Sequence, residues 1–154
     1  GGWALRGAHD DALAAAVTSA LDDGAALILW LDEGWDLARA PSWLVPYLGP
    51  LDGEGTAWRD DVTSLTGDRH AVTLEADARR VAGLWSLPDD PRVAVHLAAQ
   101  VAGASVPVLS SWREGPRRVL CWNGGDHGAR LRERPERFAR WWECLRSCCD
   151  APAP

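Results

Sequence analysis

The chain has no lysine and no methionine, and it holds one phenylalanine, one tyrosine, one isoleucine and one asparagine. Lysine, phenylalanine, tyrosine, isoleucine and asparagine have AT-rich codons, whereas the plentiful alanine, glycine, arginine, proline and tryptophan have GC-rich ones. We therefore expect a GC-rich, bacterial genome, and the ten tryptophans do not by themselves indicate a ligand-stacking surface. The absence of lysine excludes every mechanism that requires a side-chain amine, such as Schiff-base formation.

Long hydrophobic runs are also missing. No apolar stretch approaches the ~20 residues of a membrane-spanning helix, and no basic-then-apolar segment marks a secretory leader. We therefore expect a cytoplasmic protein without membrane contact. A length of 154 residues with 47% hydrophobic and 25% charged content suits one globular domain. We predict a single α+β domain over residues 3–149 and a disordered tail or linker start at 150–154. A chain that begins Gly-Gly favours a domain of a longer protein.

Charge is negative overall and uneven along the chain. The net charge of −6 disfavours general nucleic-acid binding, because phosphate backbones attract positive surfaces. Residues 1–77 carry four Arg and fourteen acids, whereas residues 78–154 carry twelve Arg and eight acids. The two halves can attract each other within the fold, or the acids can form a face for a basic partner protein.

Hydrophobic periodicity and turn residues predict a mixed sheet with helices. We predict a strand at 3–6, a helix that begins at His9 and ends before Gly24, and a buried apolar strand at 25–31, which together form an N-terminal βαβ unit. Turn sequences predict hairpins over 62–74 and 106–122. We predict helices over 75–87 and 91–102; the second segment also alternates as a strand does, but Asp90 and Gly103 suit helix ends. A C-terminal amphipathic helix begins at Pro135 and packs on the sheet, and its predicted inward residues are Phe138, Trp141, Trp142, Leu145, Cys148 and Cys149.

The run of residues 27–33 ends in two acids after a buried strand. It resembles the Walker B element of P-loop ATPases, which implies acids that hold a metal ion and polarise water. The chain has no lysine and no matching glycine-rich loop, so it is not a self-contained ATPase. Asp32, Glu33 and Asp36 could still hold a divalent metal at the end of the strand, or they could form a solvated acidic loop.

Other chemistry-bearing residues are scattered. Cys121, His127, Cys144 and Cys148 have zinc-binding side chains but lack a close Cys pair, so we expect buried thiols instead. Nucleophile and base pairs could be built from Cys121 with His127, or from Ser110 or Ser111 with His96 or His127. No nucleophile elbow of the G-x-S-x-G type is present.

The irregular segment of residues 32–61 combines acids with aromatic side chains. We predict a non-catalytic protein-interaction domain, an adaptor or immunity-like module, that binds a partner with a basic surface and needs no cofactor. The predicted partner-binding residues are Asp32, Glu33, Trp35, Asp36, Trp43 and Trp58. One alternative is a metal-dependent hydrolase with Asp32, Glu33 and Asp36 as metal ligands and Asp32 and His127 in catalysis. The other is one module of a larger signalling or defence protein, without activity of its own.

Overall fold

The computed structural model describes residues 9–31, 38, 40–51, 58–59, 62–67, 81–82, 90–123 and 135–150. Its α-helices are α1 (His9–Asp22) and α2 (Pro135–Asp150). Its strands are β1 (Ala26–Trp30), β2 (Trp58–Arg59), β3 (Val62–Gly67), β4 (Val81–Ala82), β5 (Ala94–Val101), β6 (Ala104–Glu114) and β7 (Arg117–Trp122). A short 3-10 helix spans Val45–Leu48.

Five strands form one mixed sheet in the order β1-β7-β6-β5-β3. The β1–β7 pair is parallel, with Ala26 opposite Arg118 and Trp30 opposite Trp122, and the other neighbours are antiparallel. Strands β2 and β4 form a separate antiparallel pair. The protein is therefore an α+β fold with a mixed sheet. No helix in the described ranges is long and apolar enough to cross a membrane.

Helix α1 and strand β1 lie close to the positions that the sequence predicts for them. Gly24 has φ of +95° and follows the end of α1, a conformation that glycine adopts without steric cost. The apolar run then forms β1, but its described parallel neighbour is β7 rather than an earlier strand. The predicted strand at 3–6, and with it the βαβ unit, lies outside the described residues.

The prediction of a helix over 91–102 is wrong, because this segment forms β5. Ala102 and Gly103 have φ of 49° and 83° and make the two-residue turn into β6. Four consecutive residues, 96–99, are buried, as expected for a strand covered on both faces. Pairing with β3 and β6 on both sides outweighs the local helix signals.

The predicted hairpins and the remaining helix have different outcomes. The hairpin over 106–122 is present as β6 and β7. For the hairpin predicted over 62–74, the first strand is present as β3 and pairs with β5. The predicted turn and second strand, residues 68–74, lie outside the described residues. The helix predicted over 75–87 is wrong at Val81 and Ala82, because these two residues form β4 and pair with β2.

Each face of the sheet packs against a hydrophobic core. Helix α2 covers the first face, here called the α2 face, with Trp141, Cys144, Leu145 and Cys148 packed near Leu120 and Trp122. The opposite face, here called the α1 face, includes Leu29, Val119 and Cys121. It is covered by the end of α1 through Leu21, and by the segment 40–51 through Leu44, Tyr47, Leu48 and Leu51. Successive side chains of β1 and β7 therefore point alternately into two separate cores.

Candidate functional site

The carboxyl ends of β1 and β7 lie side by side at one edge of the sheet. Trp30 is opposite Trp122, and the Leu31 N–H donates a hydrogen bond to the Trp122 carbonyl at 2.9 Å. Residues 32–37 follow Leu31 along the chain, and residues 124–134 follow Asn123. The predicted acids Asp32, Glu33 and Asp36, together with Trp35 and His127, lie outside the described residues. Their flanking strands nevertheless end next to each other, at the position where open α/β sheets commonly bind ligands.

Asn123 occupies this edge and was not among the residues that the sequence singled out. It is 3% exposed, its N–H donates to the Val108 carbonyl at 2.7 Å, and its Nδ2 donates to the Pro107 carbonyl at 3.1 Å. Its Oδ1 is buried and has no hydrogen-bond partner among the residues that the structure describes. The chain's one asparagine, placed between a buried strand and Gly124-Gly125, is a signal that could have identified it.

Aromatic rings gather on the α2 face next to the same edge. The Trp141 ring lies 5.0 Å from that of Trp30 and 5.8 Å, edge-on, from that of Trp122. It also stacks on Phe138 at 6.0 Å and lies 6.4 Å from Trp142. We call Trp30, Trp122, Trp141, Phe138 and Trp142 the aromatic cluster. Because ring pairs at these separations attract each other, the cluster holds the end of β1, the end of β7 and α2 together.

Two members of this cluster contradict the predicted inward set. Phe138 is 41% exposed and Trp142 is 48% exposed, whereas Trp141 is 2% exposed and Leu145 is 1% exposed. The helical period places Phe138 and Trp142 at one border of the buried stripe, and the sheet does not cover that border. Aromatic side chains that we expected in the core therefore form part of the surface.

Of the predicted partner-binding residues, Trp43 is the one whose side chain the structure describes. It is half-buried and packs against the core of the α1 face, and its buried Nε1 has no hydrogen-bond partner within the described ranges. The neighbouring 3-10 helix buries Tyr47 and Leu48 but leaves Val45 54% exposed. The middle of the acidic segment is therefore a packed cover with a partly exposed outer surface. Trp58 lies in β2, and its side chain is outside the description.

His96 and Ser111 form the one nucleophile-and-base pairing from the sequence that the described residues bring together. His96 is 5% exposed, and its Nε2 lies 2.7 Å from the Ser111 hydroxyl oxygen. The ladder between β5 and β6 shifts register around His96, and Gly67 lies against its backbone. A Cβ at Gly67 would come within 2.3 Å of the His96 carbonyl oxygen, so glycine is required for this close approach. The contact gives the buried imidazole a hydrogen-bond partner. An imidazole at this distance from a hydroxyl is also able to accept its proton, as a general base does.

Cys121 is unsuited to nucleophilic chemistry. It is 1% exposed, and burial raises the pKa of its thiol to about 12 although Ser110 donates a hydrogen bond to it. The thiolate is the reactive form, so this group is protonated and inert at neutral pH. Cys144 and Cys148 belong to α2 and are buried in the core between that helix and the opposite face of the sheet. Within the described ranges, no group of three or more His, Cys, Asp or Glu side chains is placed to hold a metal ion.

No protein-family model, curated protein or solved structure matches this chain.

Proposed function

We propose that this chain is a non-catalytic protein-interaction domain, an adaptor or immunity-like module, whose acidic segment 32–61 binds a partner with a basic surface. The observation that carries the proposal is the anchoring of the segment's middle on the α1 face. Leu44, Tyr47, Leu48 and Leu51 are buried there, and Trp112 Nε1 donates to the Tyr47 carbonyl at 3.2 Å. A binding segment fixed on a core loses less conformational entropy on association than a free loop does.

The exposed chemistry of the segment suits a protein partner. Val45 and Pro46 are exposed on the outer side of the anchored part. In the sequence, Asp32, Glu33 and Asp36 precede this part, and Asp52 and Glu54 follow it. An apolar centre with charges around it is the usual composition of a protein–protein interface. The proposed contact residues are Asp32, Glu33, Trp35, Asp36, Trp43 and Trp58.

The test begins with affinity capture from the parent organism, using the purified chain as bait, followed by calorimetry with the identified partner. Asp32→Asn, Glu33→Gln and Asp36→Asn are combined in one variant, which removes charge with little change in size. We expect the affinity to fall about tenfold or more, because charged pairs at interfaces contribute strongly to association. The matched control is Asp11→Asn, Asp23→Asn and Glu136→Gln, which removes three exposed acids outside the segment. Equal effects of the two variants, or capture of no protein, would contradict the proposal.

A metal-dependent hydrolase is the second candidate, and one observation favours it. The segments that carry Asp32 and His127 leave the sheet from neighbouring strand ends, where Leu31 contacts Trp122. Carboxylates and an imidazole at such an edge could bind a divalent ion and activate water. Titration with Mn²⁺ distinguishes the candidates, because a bound paramagnetic ion broadens the NMR signals of Leu31 and Asn123. Broadening that disappears in the Asp32/Glu33/Asp36 variant supports the hydrolase, and unchanged signals support the interaction domain.

A further inference from the structure

The hairpin of β6 and β7 places two arginines directly opposite each other. Arg113 on β6 is the register partner of Arg118 on β7. Opposed residues of an antiparallel pair point to the same face of the sheet, with their Cβ atoms about 4.5–5.5 Å apart. Like charges in this position repel each other, so the pair destabilises the hairpin unless a negative group lies near both guanidinium groups.

The two arginines lie on the α2 face, at the border of its core. Leu120 belongs to that core, and its register partner Ser111 lies two residues before Arg113. Because side chains two positions apart on a strand point to the same face, Ser111, Arg113 and Arg118 share the α2 face. Leu120 is 0% exposed, Ser111 is half-buried and Arg113 is exposed. The apolar core therefore gives way here to a polar surface.

Two described acids near the ends of these strands are bound by other arginines. Arg117 Nη2 lies 2.7 Å from Asp22 Oδ1, and Arg92 Nη2 lies 2.6 Å from Asp90 Oδ2. These carboxylates already have a guanidinium partner of their own. They are therefore poor candidates for neutralising the opposed pair of Arg113 and Arg118.

Glu114 follows Arg113 in the chain but points to the other face. Its register partner is Arg117, and alternation places both on the α1 face. Glu114 Oε2 lies 3.9 Å from Arg92 Nη1. Within the described ranges Arg113 makes no ion pair, whereas Arg118 is half-buried and has an interaction of its own in the chain. An exposed guanidinium beside a fixed one is thus presented to solvent.

Ser111 and His96 add an oriented hydroxyl group to the same surface. His96 Nε2 lies 2.7 Å from Ser111 Oγ, and the imidazole is 5% exposed. When the imidazole carries a proton on Nε2, this N–H donates to Ser111 Oγ, and the hydroxyl proton can then be donated to another acceptor. Ser111 and Arg113 are about 7 Å apart along the strand, a distance that an arginine side chain can span.

We propose that Arg113, Arg118 and Ser111 form a binding site for a phosphate group, either the free ion or the phosphate of a small ester. The guanidinium groups donate to the phosphate oxygens, as arginines commonly do. The Ser111 hydroxyl donates a further hydrogen bond, and His96 fixes its orientation. A dianion relieves the repulsion between the opposed arginines more fully than a monoanion does. None of these residues belongs to the acidic segment 32–61, so the site adds a second binding activity.

The first experiment is an NMR titration at constant ionic strength with inorganic phosphate, phenyl phosphate and acetate. We expect saturable shifts of the Arg113 side-chain N–H and the Ser111 amide with the phosphates and not with acetate. Tighter binding of phenyl phosphate would assign the site to esters, and tighter binding of inorganic phosphate would assign it to the free ion; either supports the site. No shift with either phosphate, or equal shifts with acetate, would overturn the inference.

The protonation of His96 is a second readout of the same titration. Long-range ¹⁵N–¹H spectra of the phosphate-bound protein should show a proton on His96 Nε2, because Ser111 can direct its own proton to phosphate in that case. An Nε2 atom without a proton would mean that Ser111 donates to His96 instead. That result would overturn the site as proposed.

The second experiment compares Arg113→Gln with Arg146→Gln. The first variant should bind phosphate about tenfold or more weakly, because it loses a charge-assisted hydrogen bond. The second removes the same charge from an exposed position on α2 and should bind like the wild type. Equal losses in the two variants would mean that phosphate responds to net charge alone, which would overturn the inference.

Thermal unfolding distinguishes a ligand site from an arginine that serves only the fold. In sodium chloride, Arg113→Gln should unfold at the temperature of the wild type or above it, because the variant lacks the repulsion between the arginines. In sodium phosphate of the same ionic strength, the wild type should gain stability by binding the ion, and the variant should gain less. An equal gain in both proteins, or a variant that is clearly less stable in chloride, would contradict the proposed site.

Discussion

The two faces of the sheet are covered in different ways. One continuous helix, α2, closes the α2 face with buried side chains from Trp141 to Cys148. The α1 face is closed by two unlike pieces, the end of α1 and the irregular segment 40–51. That second cover also has polar connections: Trp112 donates to the Tyr47 carbonyl, and Arg117 donates to the Tyr47 hydroxyl and to Asp22.

The difference follows from how each cover satisfies its backbone. A helix pairs most of its own N–H and C=O groups, so its attachment depends mainly on buried apolar area. An irregular segment has fewer internal bonds; within 41–51 these include turns such as Leu44 N–H to the Pro41 carbonyl at 2.8 Å. Such a segment depends on directional contacts to its neighbours. We therefore expect the α2 face to respond to lost volume and the α1 face to respond also to lost hydrogen bonds.

The largest expected effect is that of Trp122→Ala on the α2 face. Trp122 is fully buried among Trp30, Trp141 and the sheet, so its removal leaves a cavity that costs about 3–5 kcal/mol of unfolding free energy. Denaturant unfolding measures it. Trp142→Ala is the matched control, and it should cost about 1 kcal/mol or less because that ring is 48% exposed. Similar losses in the two variants would mean that the aromatic cluster does not stabilise this face as argued.

Leu44→Ala tests the other face and should have the next largest effect. Leu44 is 1% exposed in the core of the α1 face, and its truncation costs about 2–4 kcal/mol. Because the cover is irregular, we expect hydrogen exchange to rise first in residues 41–51 while α2 stays protected. Val45→Ala, which changes a neighbour that is 54% exposed, is the control and should change stability by about 0.5 kcal/mol or less. Equal loss of protection in α2 would show that the two faces unfold together.

The elements with strong local signals were predictable from sequence. Gly24 follows the end of α1, a continuous apolar run forms β1, and Gly115 and Pro116 lie in the turn between β6 and β7. The segment 91–102 was not predictable, because its capping residues and its alternation favoured different structures. Its pairing with β3 and β6 decides between them, and such long-range contacts leave no local pattern.

The candidate site was less accessible to sequence reasoning than the fold. The contact of β1 with β7 joins segments separated by more than eighty residues, so the pairing of Leu31 with Trp122 has no local signature. Periodicity identified the buried side of α2, but it could not show which border of that side the sheet leaves uncovered. Phe138 and Trp142 lie on that border. The contact between His96 and Ser111 similarly depends on a register shift that composition does not reveal.

Tyr47→Phe probes the polar connections of the α1 face and should have a smaller effect than Leu44→Ala. It keeps the ring, which lies 5.7 Å from the Arg117 guanidinium carbon, and removes the hydroxyl that accepts from Arg117. We expect a loss of about 1 kcal/mol of unfolding free energy, the usual net contribution of one hydrogen bond. A double-mutant cycle with Arg117→Gln measures the coupling between the two side chains. A coupling energy of zero would mean that the hydrogen bond between Tyr47 and Arg117 does not stabilise the α1 face. Burial of apolar side chains would then be the main stabilising contribution on both faces.

Asp90→Asn should have the smallest effect, because its ion pair joins neither cover to the sheet. Arg92 donates side-chain hydrogen bonds to the Asp90 carboxylate at 2.6–3.1 Å, and these bonds, with a backbone bond from Arg92, lower the pKa of Asp90. A lowered folded-state pKa stabilises the protein above the ordinary pKa of aspartate, and that contribution disappears as the pH falls through the folded-state value. Wild type and Asp90→Asn should therefore differ slightly at pH 7 and converge in acid, as thermal unfolding across pH 2–7 would measure. The Arg92 side chain is 53% exposed, and salt should reduce the difference further. A difference that persists at pH 2 would mean that Asp90 acts through the backbone turn before β5 rather than through its charge.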